Sequence, residues 1–234
     1  MPLNDLAPFY ISQKNPLSTQ LITTLHDMMY HWDVKVQLLD VAVLDFSKAF
    51  DTVPHSRLIG KLHQYGIDGN IHHWLSSFLK NHSQSVMVNG ESSAQVRVES
   101  GVPQGTVLGP MWFLLHINDL PDCVSSRVRL FADDCWLYRP IYETSDLLAL
   151  QKDLDTLALW CNRWGMSFNA AKCEVMRISR RKAVLQKLYT INGQALQEVN
   201  KARYLGVIIS NDLQWSGHVS TITKKANSTL GFLR

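Results

Sequence analysis

The sequence predicts an α+β fold, with helices covering one face of a sheet whose strands need not be chain neighbours. Three observations carry this. The run VQLLDVAVLDF at 36–46 is rich in branched apolar residues and nearly continuous, as in a strand buried on both faces. Apolar residues at spacings of three and four form helical stripes before and after it. Short alternating runs meet at two-residue junctions with the composition of hairpin turns.

In chain order, Leu21, Leu25, Met28, Met29 and Trp32 share one stripe and predict an amphipathic helix over 18–32, with Ser18 or Thr19 as its cap. The strand at 36–46 follows, and an acid, Asp45, stands at its end. After Pro54, Leu58, Ile59 and Leu62 predict a short helix stopped at Gly66. Ile71, Trp74, Leu75, Phe78 and Leu79 predict a second. Residues 85–88 and 95–98 alternate around Asn89-Gly90, a hairpin whose loop is lengthened by 91–94. The segment SGVPQGTVLGP at 100–110 holds three glycines and two prolines, so it is a structured loop feeding the apolar stretch 111–120.

Residues 127–132 and 135–138 predict a tight hairpin with Asp133 and Asp134 at its tip. Thr144 or Ser145 is the expected cap of a long helix in which Leu147, Leu150, Leu154, Leu157, Cys161 and Trp164 recur at helical spacing, to pack against the sheet until Gly165 ends it. Further strands are predicted at 173–179, at 188–191 before Asn192-Gly193, and as the single run YLGVII at 204–209. A last helix is predicted over 216–233.

Composition narrows the function classes. With 46% apolar residues in 234, the chain is a foldable globular sequence and not a disordered one. No apolar run approaches the ~20 residues that span a bilayer, and no signal-like segment opens the chain, so the expected location is intracellular, nuclear or cytoplasmic, and not secreted. Cys123, Cys135, Cys161 and Cys173 lack the close pairs of a zinc site and are too sparse for a disulfide scaffold; reduced, mostly buried thiols are expected. The net charge of +3 hides a division: residues 1–171 carry −5 and residues 172–234 carry +8. The basic quarter is either a polyanion surface or a solvated Lys/Arg face, and salt-dependent binding separates the two.

The acids need an explanation. Burying a carboxylate costs several kcal/mol unless a partner offsets the desolvation. Asp45 follows VAVL, and Asp133-Asp134 follow VRLFA, without a neighbouring base that neutralises both members of the pair. If the strand ending at Asp45 lies beside the 127–138 hairpin, three carboxylates converge at one sheet edge and could hold two Mg²⁺ ions about 3.5 to 4 Å apart, the arrangement used for in-line phosphoryl transfer. The competing reading is an acid that begins a turn and an unrelated polar hairpin tip.

Longer motifs decide what residue spacing leaves open. LDFSKAFDTVPH (44–55), SGVPQGTVLGP (100–110), FLLHINDL (113–120), LFADD (130–134), WGMSFNAAKCEVM (164–176) and YLGVIIS (204–210), in that order, closely resemble the palm of reverse transcriptases of non-LTR (LINE-like) retrotransposons. The resemblance covers about residues 16–220. It implies an RNA-directed DNA polymerase palm, an antiparallel sheet with packed helices. Asp45, Asp133 and Asp134 would ligate Mg²⁺, with Mn²⁺ as a substitute and Asp134 the least direct ligand. Phe50 matches the bulky residue under the incoming sugar, where a flat ring excludes a 2′-hydroxyl. Gln104 and Gly105 match nucleotide and template contacts, and Phe131 and Ala132 would lie near the primer 3′ end. Lys172 aligns with a lysine proposed to protonate the pyrophosphate leaving group; a solvent-facing lysine is the alternative. YLGVIIS resembles the strand that grips the primer. The implied partners are an RNA template, a DNA primer and a deoxynucleoside triphosphate.

The chain also departs from that pattern. Lys14 and Lys35 are the only Lys or Arg residues before Asp45, so the basic fingers that clamp a triphosphate are expected to be missing, and His116 stands where an aromatic is common. The expected organisation is a non-homologous stretch over 1–15, a remnant of the fingers-to-palm helix over 16–33, a palm over 34–210 and the start of a thumb over 211–234. Phosphoryl transfer depends on positioning and charge, so weak or absent stand-alone activity is expected. The alternative function is an inactive retroelement remnant that at most binds nucleic acid.

Overall fold

The computed structural model describes residues 17–33, 38–80, 82–179 and 187–232. The expected non-homologous stretch 1–15, the first residues of the 36–46 strand and the bases at 180–182 lie outside these. In chain order the elements begin with α1 (Leu17–Asp33), β1 (Leu38–Asp45), α2 (Ala49–Thr52), α3 (His55–Gln64) and α4 (Gly69–Lys80). They continue with β2 (Ser83–Gln84), β3 (Met87–Val88), β4 (Glu91–Ser92), β5 (Val96–Arg97), α5 (Leu108–Ile117), β6 (Arg127–Phe131), β7 (Asp134–Pro140) and α6 (Thr144–Trp164). The last are β8 (Glu174–Ser179), β9 (Thr190–Ile191), β10 (Gln194–Ala195), β11 (Gln197–Val199), β12 (Lys201–Tyr204), β13 (Val207–Ser210) and α7 (Ser216–Phe232). They divide into two compact units, one built on Phe46–Leu120 and Leu159–Ser167, the other on the described parts of Gln13–Asp45, Pro121–Ala158 and Phe168–Arg234.

The second of these units holds a five-stranded sheet in the order β11-β8-β1-β7-β6. All its pairings are antiparallel except β11 with β8. The strand with the most continuous apolar run, β1, takes the centre, where both neighbours satisfy its backbone groups and both its faces are covered. Alternation then sorts side chains by face. Leu39, Val41, Trp136, Tyr138, Met176 and Ile178 pack with Met28 of α1 and with Ala202, Tyr204 and Ile209 of the β12–β13 hairpin. The Tyr204 ring lies 4.5 Å from Trp136, which fixes that hairpin to the strand β7. Asp40, Arg139 and Arg177 have the other parity, and Arg139 pairs with Asp146 and Asp153 of α6 at 3.5 and 3.8 Å.

Three expectations are corrected in this unit. The YLGVII run is not one strand but the hairpin β12–β13, because Leu205 and Gly206 both take positive φ, 48° and 86°, and turn the chain. Asp133 and Asp134 do not share a tip: Asp134 pairs with Phe131 in the ladder, leaving Ala132-Asp133 as the turn. Neither Thr144 nor Ser145 supplies the cap of α6. Instead the carboxylate of Asp146 reaches back to the turn before the helix, accepting the N–H groups of Tyr142 and Glu143 at 3.0 and 3.2 Å, and its charge suits the helix N-terminus.

In the other unit, α2 is a short helix that apolar spacing did not signal. Its Phe50 ring lies 4.5 Å from Phe113 of α5. The hairpin also differs from expectation: Asn89-Gly90 makes a two-residue turn between β3 and β4, so Glu91 and Ser92 are strand and not loop. Buried Lys61 reaches Asp119 at 2.5 Å, donates to the His116 carbonyl and stands 3.8 Å over the Trp164 ring. His116 therefore has a reason to be there. Burial, then the Lys61 charge, hold its imidazole down at about 3, so it is a neutral core ring between Trp160 and Trp164.

As expected of reduced thiols, none of the four cysteines is bridged; Cys135, Cys161 and Cys173 are buried. Among the described residues no helix is long and apolar enough to cross a membrane.

Candidate functional site

The acids come together through strand pairing. Antiparallel register sets Asp45, the last residue of β1, directly opposite Asp134, the first of β7, and Asp133 precedes Asp134 in the adjoining turn. Ala132 opens that turn at φ 51°, the left-handed value a II′-like turn needs at its first central residue. The neighbouring charges are felt: burial, then Asp133, then Asp45 raise the Asp134 carboxyl above the usual range, while Arg203 of β12 lowers it. Asp133 and Asp134 are exposed and Asp45 is half-buried, so solvent reaches all three.

A second loop is hung on the same strand end. The Asn169 N–H donates to the Asp45 carbonyl at 2.8 Å, and the N–H groups of Lys172 and Cys173 donate to the Asn169 carbonyl. This turn carries the Lys172 ammonium to 3.8 Å from Asp45 Oδ2. Beneath it, the Asp45 N–H points at buried Cys173 Sγ, 3.5 Å away.

Among the described residues, no three His, Cys, Asp or Glu side chains form a ready-made metal-ligating cluster. Carboxylates that repel each other have no cause to gather to ligand distances on their own. Their oxygen-only donor set and mutual charge nonetheless suit a hard divalent cation, so the residues present fit one.

Phe131, the last residue of β6, pairs with Asp134 in the same unit as the acids, whereas Phe50, Gln104 and Gly105 lie in the unit that starts at Phe46. Phe50 is half-buried against Phe113, and Gln104 and Gly105 stand exposed on the 100–107 loop. The Gln104 Nε2 donates to Asp51 Oδ1 at 3.1 Å. Gly101 is required where it stands, since its φ is 92° and a Cβ there would lie 3.1 Å from the Asp51 carbonyl. Gly109 is required for another reason: a Cβ would sit 2.2 Å from the Pro103 carbonyl.

Sequence reasoning missed Asp51, Arg203 and buried Asp40. An acid inside the apolar run at position 40 was the available signal for the last of these. Nothing in spacing marks Arg203, whose place beside Asp134 comes from hairpin packing.

Residues 13–209 match the family model described as reverse transcriptase (RNA-dependent DNA polymerase). The chain belongs to the reverse transcriptase family. Among its relatives are the RNA-directed DNA polymerase from mobile element jockey of Drosophila funebris, 30% identical over 190 residues, which are 76% of this chain and 20% of that protein. The probable RNA-directed DNA polymerase from transposon X-element of Drosophila melanogaster is 29% identical over 209 residues, 87% of this chain and 23% of the relative. This reverse transcriptase chain thus spans about a fifth of the length of those proteins. Its relatives are non-LTR retrotransposon polymerases, as the motifs implied. Among solved structures, apo telomerase from Candida tropicalis superposes with a TM-score of 0.60 at 12% identity, over 88% of this chain and 37% of that one. Telomerase of the same species in complex with a fragment of telomeric RNA gives 0.61 at 12%, over 88% and 34%. The likeness shows a shared α+β polymerase palm fold.

Proposed function

We propose that this reverse transcriptase domain performs RNA-directed DNA synthesis, transferring a nucleotide from a deoxynucleoside triphosphate to a primer 3′-hydroxyl opposite an RNA template. The carrying observation is the register that places Asp45 opposite Asp134 with Asp133 in the adjoining turn. Asp45, Asp133 and Asp134 would hold divalent cations, two Mg²⁺ or, in substitution, Mn²⁺. When bound, the cations supply charge stabilisation and an activated attacking oxygen. In the reaction the primer 3′-oxygen forms a bond to the α-phosphorus as the bond to pyrophosphate breaks. Lys172, its ammonium already beside Asp45, donates a proton to the departing pyrophosphate oxygen. Phe50 excludes a 2′-hydroxyl, and Gln104 and Gly105 contact nucleotide and template. Phe131 and Ala132 support the primer end, and the basic 172–234 segment holds nucleic acid in an intracellular setting.

Primer extension on an RNA template with Mg²⁺, wild type against Asp133→Ala/Asp134→Ala, tests this. Incorporation is expected in the wild type and its loss in the double variant. The net charge of +8 on residues 172–234 supports one other reading, an inactive remnant that only binds nucleic acid. No incorporation alongside salt-sensitive binding would establish it.

A further inference from the structure

We infer that Asp51 is a positioning residue for Gln104, its carboxylate fixing which end of the Gln104 amide is offered to the nucleotide. The inference rests on the polymerase reading of Gln104 above and deepens it. A glutamine amide has two chemically opposite ends, one that donates and one that accepts, and a half-turn exchanges them. A carboxylate only accepts. Beside Asp51, the amide must therefore arrive nitrogen first, as it does, with Nε2 3.1 Å from Oδ1. The bond is charge-assisted, which strengthens the bias. Oε1 is left wholly free as the acceptor that Gln104 presents, beside the second Nε2 hydrogen, so the group that meets Oε1 on the nucleotide or template is a donor, a sugar hydroxyl or a base amino group.

The bias works only if Asp51 and the loop keep a fixed separation, and the backbone supplies that. The Ser100 hydroxyl donates to the Asp51 carbonyl at 3.2 Å. The Gly101 and Val102 N–H groups donate to the carbonyls of Val53 and Phe50 at 2.9 and 2.7 Å. The His55 ring nitrogen Nε2 lies 2.7 Å from the Gly101 carbonyl. At the far end of the loop, the close approach of Gly109 to the Pro103 carbonyl leaves no room to slide. Helix α2, with Phe50 and Asp51, and the loop bearing Gln104 are thus one framework, and the sugar-facing ring and the amide are set by the same bonds.

The test is steady-state primer extension with wild type, Asp51→Ala, Asp51→Asn, Gln104→Ala and the Asp51→Ala/Gln104→Ala pair, reading KM for the triphosphate apart from kcat. Asp51→Ala is expected to raise KM by about five- to tenfold, the scale of one net hydrogen bond, with kcat within about twofold. Asn still offers an oxygen to Nε2, so Asp51→Asn should bring KM back to within about threefold of wild type. In the Gln104→Ala background Asp51→Ala should do nothing further, because its effect runs through that amide. An Asp51→Ala effect that adds in full to Gln104→Ala, a KM that does not move in folded Asp51→Ala protein, or a KM in folded Asp51→Asn protein as high as in Asp51→Ala, overturns the assignment. Thermal midpoints matched to wild type identify the folded variants. A wild type that fails to extend any primer overturns the polymerase reading itself, and the role of Asp51 with it.

Discussion

Asp40 and Asp45 lie five residues apart on β1, with opposite parity, and their surroundings could hardly differ more. Asp40 is wholly buried and comes with partners from its own unit. The Tyr189 hydroxyl donates to it at 2.6 Å, and Arg177, which also binds Glu198 at 2.6 Å, stands 3.6 Å away. Asp45 is open to solvent, faces another acid across the ladder, and has one exposed lysine at 3.8 Å. A carboxylate that serves the fold is given partners by the fold, even where, as at Asp40, they offset its burial only in part. One that serves chemistry is left short of positive charge, to be completed from outside.

The comparison breaks most visibly at Asp40. Asp40→Ala leaves Arg177 and Tyr189 facing a buried gap and should lower unfolding free energy by about 3–5 kcal/mol in urea titrations, the cost of deleting one member of a buried pair. A loss under about 1 kcal/mol would show that the interior cluster is no more structural than the exposed one.

A pH series sharpens the contrast. Burial, outweighing the Tyr189 hydrogen bond and the Arg177 charge, pushes the Asp40 carboxyl up from 3.8 to about 6. Between those values the folded chain binds more protons than the unfolded one, so this group's contribution to stability is full below about pH 4 and is lost as pH rises to about 6. The loss is on the order of 3 kcal/mol. Asp40→Asn, which keeps an acceptor for Tyr189, should flatten the stability profile across that window, and an unchanged profile would contradict the assignment.

The smallest expected effect lies at Asp45. Asp45→Asn removes repulsion with Asp134 and an exposed ion pair, so unfolding free energy should change by less than about 0.5 kcal/mol, even though incorporation is lost. Destabilisation comparable to that of Asp40→Ala would make the two acids alike.

Much of the palm could be read from residue order. The helices at 18–32 and 144–164, the central strand and the acid-bearing hairpin all follow from spacing and turn composition, because these elements bury one patterned face. The failures share a cause as well. Leu205 adopts a left-handed φ that leucine rarely takes, because Tyr204 and Ile209 on either side must both reach the core. The strand β11 is three residues long and is held by its parallel neighbour β8 and not by its own pattern. Asp45, Asp133 and Asp134 were legible as acids in apolar company. Their closeness depends on β1 entering between β7 and β8, a pairing that lies 89 residues apart in the Asp45–Asp134 register and leaves no local trace. Asp51 stayed invisible because its significance is a hydrogen bond to a loop 53 residues away.

Ala132, at φ 51°, holds a conformation that disfavours any side chain and that glycine would adopt without cost. Exchanging it for glycine would relax the link between Phe131 and Asp133 by roughly 1 kcal/mol and would equally release the second acid from a single heading. A methyl group too many is what keeps this bend from wandering; a sturdier variant of the hairpin would be a less well aimed one.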